Sequence, residues 1–199
     1  MEINKQILKD SALVVADQIA SSIPVLNIAW GLSKALYGAG LKIRQQKALE
    51  WVEMVRDNPA VFTQKLLEQE EFQDGFVYAL EKYLLERNED KKSYFKNIFL
   101  GYAQANSMRD FPLEKFIHTL SQLNEIDIEV IRDIDLTRTD KNYQIYGNEE
   151  RRLTNIFNLI SLGILHSDPS SRLGPMKAPF VWISEFGREF IKYLKTAKS

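Results

Sequence analysis

The chain has 199 residues, 45% of them hydrophobic and 27% charged, with 26 Lys and Arg against 27 Asp and Glu for a formal net charge of −1. That apolar share is enough for a packed core, and the near-zero charge points away from a polyanion as the main partner. There is no cysteine, which excludes disulfides, thiolate metal centres and cysteine nucleophiles.

The length fits one large domain or two small ones. The first ten residues mix charges and lack the basic start and unbroken apolar run of a signal peptide, so the expected location is cytoplasmic. Residues 5–21 read as a first helix, and Pro24 breaks or restarts it. Residues 24–56 read as one long helix kinked at its glycines. Within it Asn27, Gly31, Lys34 and Gly38 recur at spacings that put them on one stripe. Leu26, Ile28, Trp30, Leu32, Leu36, Tyr37, Leu41 and Ile43 make the rest broad and apolar. The stretch 23–43 is nearly long enough for a bilayer, but Lys34 and Lys42 argue for a buried or interfacial helix.

Asn58-Pro59 signals a helix start, with a short helix to about Leu67. A helix over Glu70–Leu85 follows, then a charged turn, then Lys91–Gln104 with Asp90 as its cap. Residues 105–111 are polar and turn-rich and precede Pro112, which places a domain boundary there. Beyond it Pro112–Leu123 and Ile126–Ile134 read as helices, and 135–147 as a loop or poorly formed helix. Glu149–Leu162 is a further helix whose inward face holds Leu153, Ile156, Phe157 and Ile160. Gly163 ends it. Ile164-Leu165-His166 and Phe180-Val181-Trp182-Ile183 read as paired strands around a turn-rich loop, and Ser184 caps a last helix over Glu185–Leu194.

The run LTNIFNLISLGIL, a polar loop and FVWISEFGREFIKYL resemble the end of bacterial winged-helix domains. Leu153, Ile156, Ile160, Leu162, Gly163 and Ile164 carry the helix part, and Ile183, Ser184, Gly187 and Phe190 the segment after the wing. The resemblance covers roughly 112–195 and implies a fold used for both DNA and protein contacts. The whole chain is also similar to the bacterial abortive-infection alpha-type family, of unknown function and linked to phage defence. Gly31, Gly38, Gly40, Arg44 and Lys47 carry that likeness at the front and Gly187, Phe190 and Ile191 at the back. It brings no catalytic residues.

The expected architecture is therefore mainly α: a helical bundle over 1–107, then a winged-helix-like α+β domain with a small β-hairpin over 108–199. In a DNA reader of this type Arg151, Arg152, Asn155 and Asn158 would face the groove, and Arg172 and Lys177 would touch phosphate from the wing. Against this, Pro112–Ser199 holds 12 basic and 12 acidic residues, so phosphate attraction is weak. The Asn27-Gly31-Lys34-Gly38 stripe admits close helix–helix packing, a membrane surface, or an ordinary core helix.

His118 and His166 have no second ligand at metal spacing. The adjacent pairs Glu70-Glu71 and Glu149-Glu150 diverge around a helix, and Ser170 and Ser171 have no nucleophile-elbow context. Tyr94, Phe95 and Tyr102 beside Lys91, Lys92 and Lys96 read as core plus charged flank. No enzyme and no cofactor is expected. The favoured function is an interaction module with a protein partner or self-association, in a phage-defence setting. A DNA-binding regulator and a membrane-associated effector through 23–43, peripheral to the inner membrane, are the alternatives.

Overall fold

The computed structural model describes residues 31–32, 35–36, 38–105, 110–134, 150–168 and 181–195. The protein is mainly helical with a small two-stranded antiparallel sheet. It forms two compact units, Met1–Ile117 and His118–Ser199.

In the first unit the chain is helical at residues 31–32, 35–36 and 38, then turns at Gly40, whose φ of 73° lies in the left-handed region. The Leu41 N–H donates to the Leu36 carbonyl at 2.9 Å, closing the helix end. Helix α1 restarts at Lys42 and runs to Asp57. The single helix expected over 24–56 is thus broken near its middle, because a left-handed residue cannot be carried inside a right-handed helix.

Asn58 ends α1 rather than starting the next helix. Its side-chain amide donates to the Met54 carbonyl at 2.8 Å, satisfying one of the end carbonyls. The short α2, Gln64–Leu67, starts behind Thr63, whose hydroxyl accepts from the Leu66 N–H. Helix α3 spans Glu70–Leu85, as its periodicity foretold. Helix α4 spans Glu89–Gln104, capped by Asn88, which accepts from the Lys91 N–H at 3.0 Å. Asn88 rather than Asp90 is the cap, so the helix starts two residues earlier than expected.

The core of this unit is aromatic. Trp51 of α1 lies against Phe76 and Tyr83 of α3 and Phe99 of α4, with ring centroids 5.7, 5.5 and 4.8 Å apart. Phe99 also meets Phe62 and Phe72 at 5.5 and 5.4 Å. Offset and edge contacts of this kind contribute about 0.5–1.5 kcal/mol each beyond their buried area.

Helix α5 spans Leu113–Gln122, and the two units divide within it, after Ile117. The physical reason lies in its first turn. Leu113 packs onto Gly75 of α3 so closely that a Cβ there would sit 2.8 Å from Leu113 Cδ2. Phe116 meets the edge of Tyr102 at 6.1 Å. The start of α5 therefore completes the first unit's core.

The second unit contains α6 (Glu125–Arg132), α7 (Glu150–Ser161), strands β1 (Leu165–Ser167) and β2 (Val181–Ile183), and α8 (Glu185–Lys195). The strands pair Leu165 with Ile183, His166 with Trp182 and Ser167 with Val181. Leu165 and Val181 are buried, while His166 is exposed and its ring lies 5.8 Å from that of Trp182. This is the alternation of a sheet covered on one face. Helix α8 buries Phe186, Phe190, Ile191 and Leu194. The order of helices and strand pair is compatible with a winged-helix arrangement. The segments 5–21, 135–147 and 169–180 lie outside the described residues.

Candidate functional site

The second unit's chemistry is organised around a buried carboxylate. Asn124 and Asp127 form a capping box at the start of α6: the Asp127 N–H donates to Asn124 Oδ1 at 2.9 Å, and Asp127 Oδ2 accepts from the Asn124 N–H at 2.9 Å. Asp127 has no exposed surface. Its oxygens also accept from α7: Asn155 Nδ2 donates to Oδ1 at 2.6 Å, and Asn158 Nδ2 to Oδ2 at 2.8 Å. A buried carboxylate is costly unless its lone pairs are satisfied. Here three donors converge on the carboxylate, and the two from α7 tie it to α6.

A second joint fixes the corner between α7, the strands and α8. Gly163 ends α7 with φ of 74°. The Ser184 hydroxyl donates to the Gly163 carbonyl at 2.5 Å and accepts from the Gly187 N–H at 2.8 Å. Gly187 then brings α8 against the backbone of Ile164.

These joints set which side of α7 faces out. Asn155, Ile156 and Leu159 are buried. Thr154, Phe157 and Ser161 fall on the opposite stripe at spacings of three and four and are exposed, Phe157 at 46%. Phe157 was expected to face inward. The helix is rotated so that Asn155 can reach Asp127, and that rotation carries Phe157 out. The exposed side of α6 carries Glu125, Glu129, Arg132 and Asp133, with Ile126 at its start.

The residues singled out from the sequence are distributed as follows. Asn155 is 6% exposed and turned inward, so its amide serves the α6–α7 joint. Asn158 is half-buried and serves the same carboxylate. Arg151 and Arg152 belong to the first turn of α7, and their side chains lie outside the described atoms. Arg172, Lys177, Asn27 and Lys34 also lie outside the described residues. Gly31 and Gly38 are exposed, with no neighbouring atom within 4 Å of a Cβ placed there. Asp127 was not singled out, although Asn124-x-x-Asp127 already carried the capping-box spacing.

The first unit holds another charged cluster. Glu50 of α1 accepts from the Tyr83 hydroxyl and from Lys96 Nζ, the latter at 2.8 Å. Burial raises the Glu50 pKa, but the bonds from Lys96 and Tyr83 outweigh it and hold the carboxyl below its ordinary value. Burial, then the bond to Glu50, pushes the Tyr83 hydroxyl well above the usual range. Lys47 Nζ donates to the Leu84 and Glu86 carbonyls at the end of α3, where a cation suits the helix dipole. Burial, with the Lys92 charge, lowers its pKa. Lys91 pairs with Glu86 at 3.1 Å. Each partner is held by another element of the same unit, so the cluster braces α1, α3 and α4.

Among the described residues no group of His, Asp and Glu is placed to hold a metal ion, and no helix is long and apolar enough to cross a membrane. Comparison with protein-family models, curated proteins and solved structures gave no match.

Proposed function

We propose that this chain is a non-enzymatic interaction protein, and that its C-terminal unit is a winged-helix-type domain used for protein contact. The observation that carries the reading is Phe157, an exposed aromatic at the middle of the outer face of α7. Aromatic residues are enriched where proteins bind proteins and dominate the energy of such contacts. Two further observations support it. Asn155, a residue type suited to reading adenine, is spent on Asp127 in the interior. The outer face of α6 carries three acidic residues and one basic, a balance that phosphates would repel.

Titration of the full chain against labelled duplex DNA across salt concentrations tests this. The expected result is no association beyond a weak, sequence-independent background at low salt. A steep, salt-dependent affinity lost in Arg151→Ala and Arg152→Ala would replace protein contact with DNA reading.

The biological setting we propose is phage defence, on the strength of the abortive-infection likeness. Several residues that carry it have folding roles here. Gly40 makes a turn, Lys47 caps α3, Gly187 seats α8, and Phe190 and Ile191 are core. The likeness therefore speaks for a shared fold before a shared partner. Plaque counts on host cells with and without the gene test the setting: protection that depends on the gene is expected, and equal plating would remove phage defence from the reading.

A further inference from the structure

We infer that the corner between Gly38 and Arg44 is a contact site for an anionic lipid surface. It concerns the N-terminal unit and does not rest on the α7 contact. Every residue from Gly38 to Arg44 is exposed. Two large aliphatic side chains project there, Ile43 at 77% and Leu41 at 42% exposure. They alternate with two cations, Lys42 and Arg44. Neither cation pairs with a carboxylate among the described residues.

The charge pattern around the corner points the same way. No Asp or Glu occurs between Asp17 and Glu50, while Lys34, Lys42, Arg44 and Lys47 all fall in that span. Lys47 is withdrawn to cap α3, which leaves Lys42 and Arg44 as the outward charges of the corner. Aliphatic side chains that enter the acyl boundary, with basic residues beside them at headgroup level, are how interfacial segments bind anionic membranes. The turn at Gly40 ends the preceding helical segment immediately before these side chains.

Co-sedimentation of the full chain with vesicles of phosphatidylcholine alone, and of phosphatidylcholine mixed with phosphatidylglycerol, tests this. Retention on the mixed vesicles only is expected, falling as salt rises. Removal of Lys42 or Arg44 by alanine should weaken it about fivefold each. Ile43→Glu should abolish it while leaving the thermal midpoint unchanged, since the side chain is exposed. Ile43→Ser is the milder variant should Ile43→Glu disturb folding. No retention, equal retention on both vesicle types, or retention unaltered by both Ile43 variants would overturn the inference. A concentration-dependent dimer in lipid-free sedimentation that Ile43→Glu dissolves would also overturn it, in favour of a second copy of this chain.

Discussion

A Cβ placed on Gly187 would stand 2.0 Å from the carbonyl oxygen of Ile164. The first turn of α8 therefore rests directly on the backbone that leaves α7, with Ser184 bonded to both sides of the contact. Backbone cannot yield as a side chain can, so Gly187→Ala should cost about 3 kcal/mol or more. Gly163→Ala faces open space and bears only the left-handed backbone penalty, about 1–2 kcal/mol. Urea unfolding of the two variants gives the comparison. Gly187→Ala tolerated as well as Gly163→Ala would mean α8 does not approach so closely.

The carboxylate of Asp127 is the second point of stress. Asp127→Ala removes a cap and strands the Asn155 amide in the interior, for an expected loss of about 2–4 kcal/mol. If the bond at 2.6 Å is what binds α7 to α6, Asn155→Ala should cost much less in the Asp127→Ala background than alone. A double-mutant cycle by urea unfolding measures this. Additive losses would show that the two residues do not act as a pair.

The charged brace of the first unit sets a pH window. Glu50 and Glu86 both have folded pKa values below their ordinary 4.5. For Glu86 burial opposes the shift, and the Asn88 N–H and Lys91 outweigh it. A depressed carboxylate contributes stability that is complete above about pH 4.5 and is lost as pH falls through its folded value. Tyr83 is raised above its ordinary 10.0, so its contribution is present below pH 10 and is lost above it, where the unfolded state ionises first. The two carboxylates should lose their contribution on the acid side and Tyr83 on the alkaline side, while Lys47, lowered by burial, becomes less costly as pH rises toward its ordinary 10.5. Denaturant midpoints across pH should show a shallower acid limb in Glu50→Gln. An unchanged acid limb would mean Glu50 is not held by Lys96 and Tyr83.

What the sequence disclosed follows from how local each signal was. The bounds of α3, Gly163 as a helix stop and Ser184 as a cap rest on residues within a turn of one another. All of these were legible. Asn58 was ambiguous because the same side chain can cap a start or, as here, donate back to Met54. The break at Gly40 was misread as a kink because φ is not written in composition. The division within α5 depends on Leu113 meeting Gly75, thirty-eight residues earlier in the chain. The outward turn of Phe157 depends on Asn155 finding Asp127, a bond between helices separated by 28 positions. Periodicity gave α7 an apolar face, but only that tertiary bond decided its rotation.

That rotation is also where structure meets function, and the absence of cysteine makes it directly measurable. In single-cysteine variants Phe157→Cys and Asn155→Cys, thiol-labelling rates in the purified chain should be fast at 157 and slow at 155. In intact cells, where the proposed partner covers α7, labelling at 157 should slow markedly, while a control cysteine at the exposed Arg132 should stay fast. Equal labelling at 157 in cells and in the purified chain would contradict the proposed contact. Fast labelling at 155 in the purified chain would contradict the packing on which it rests.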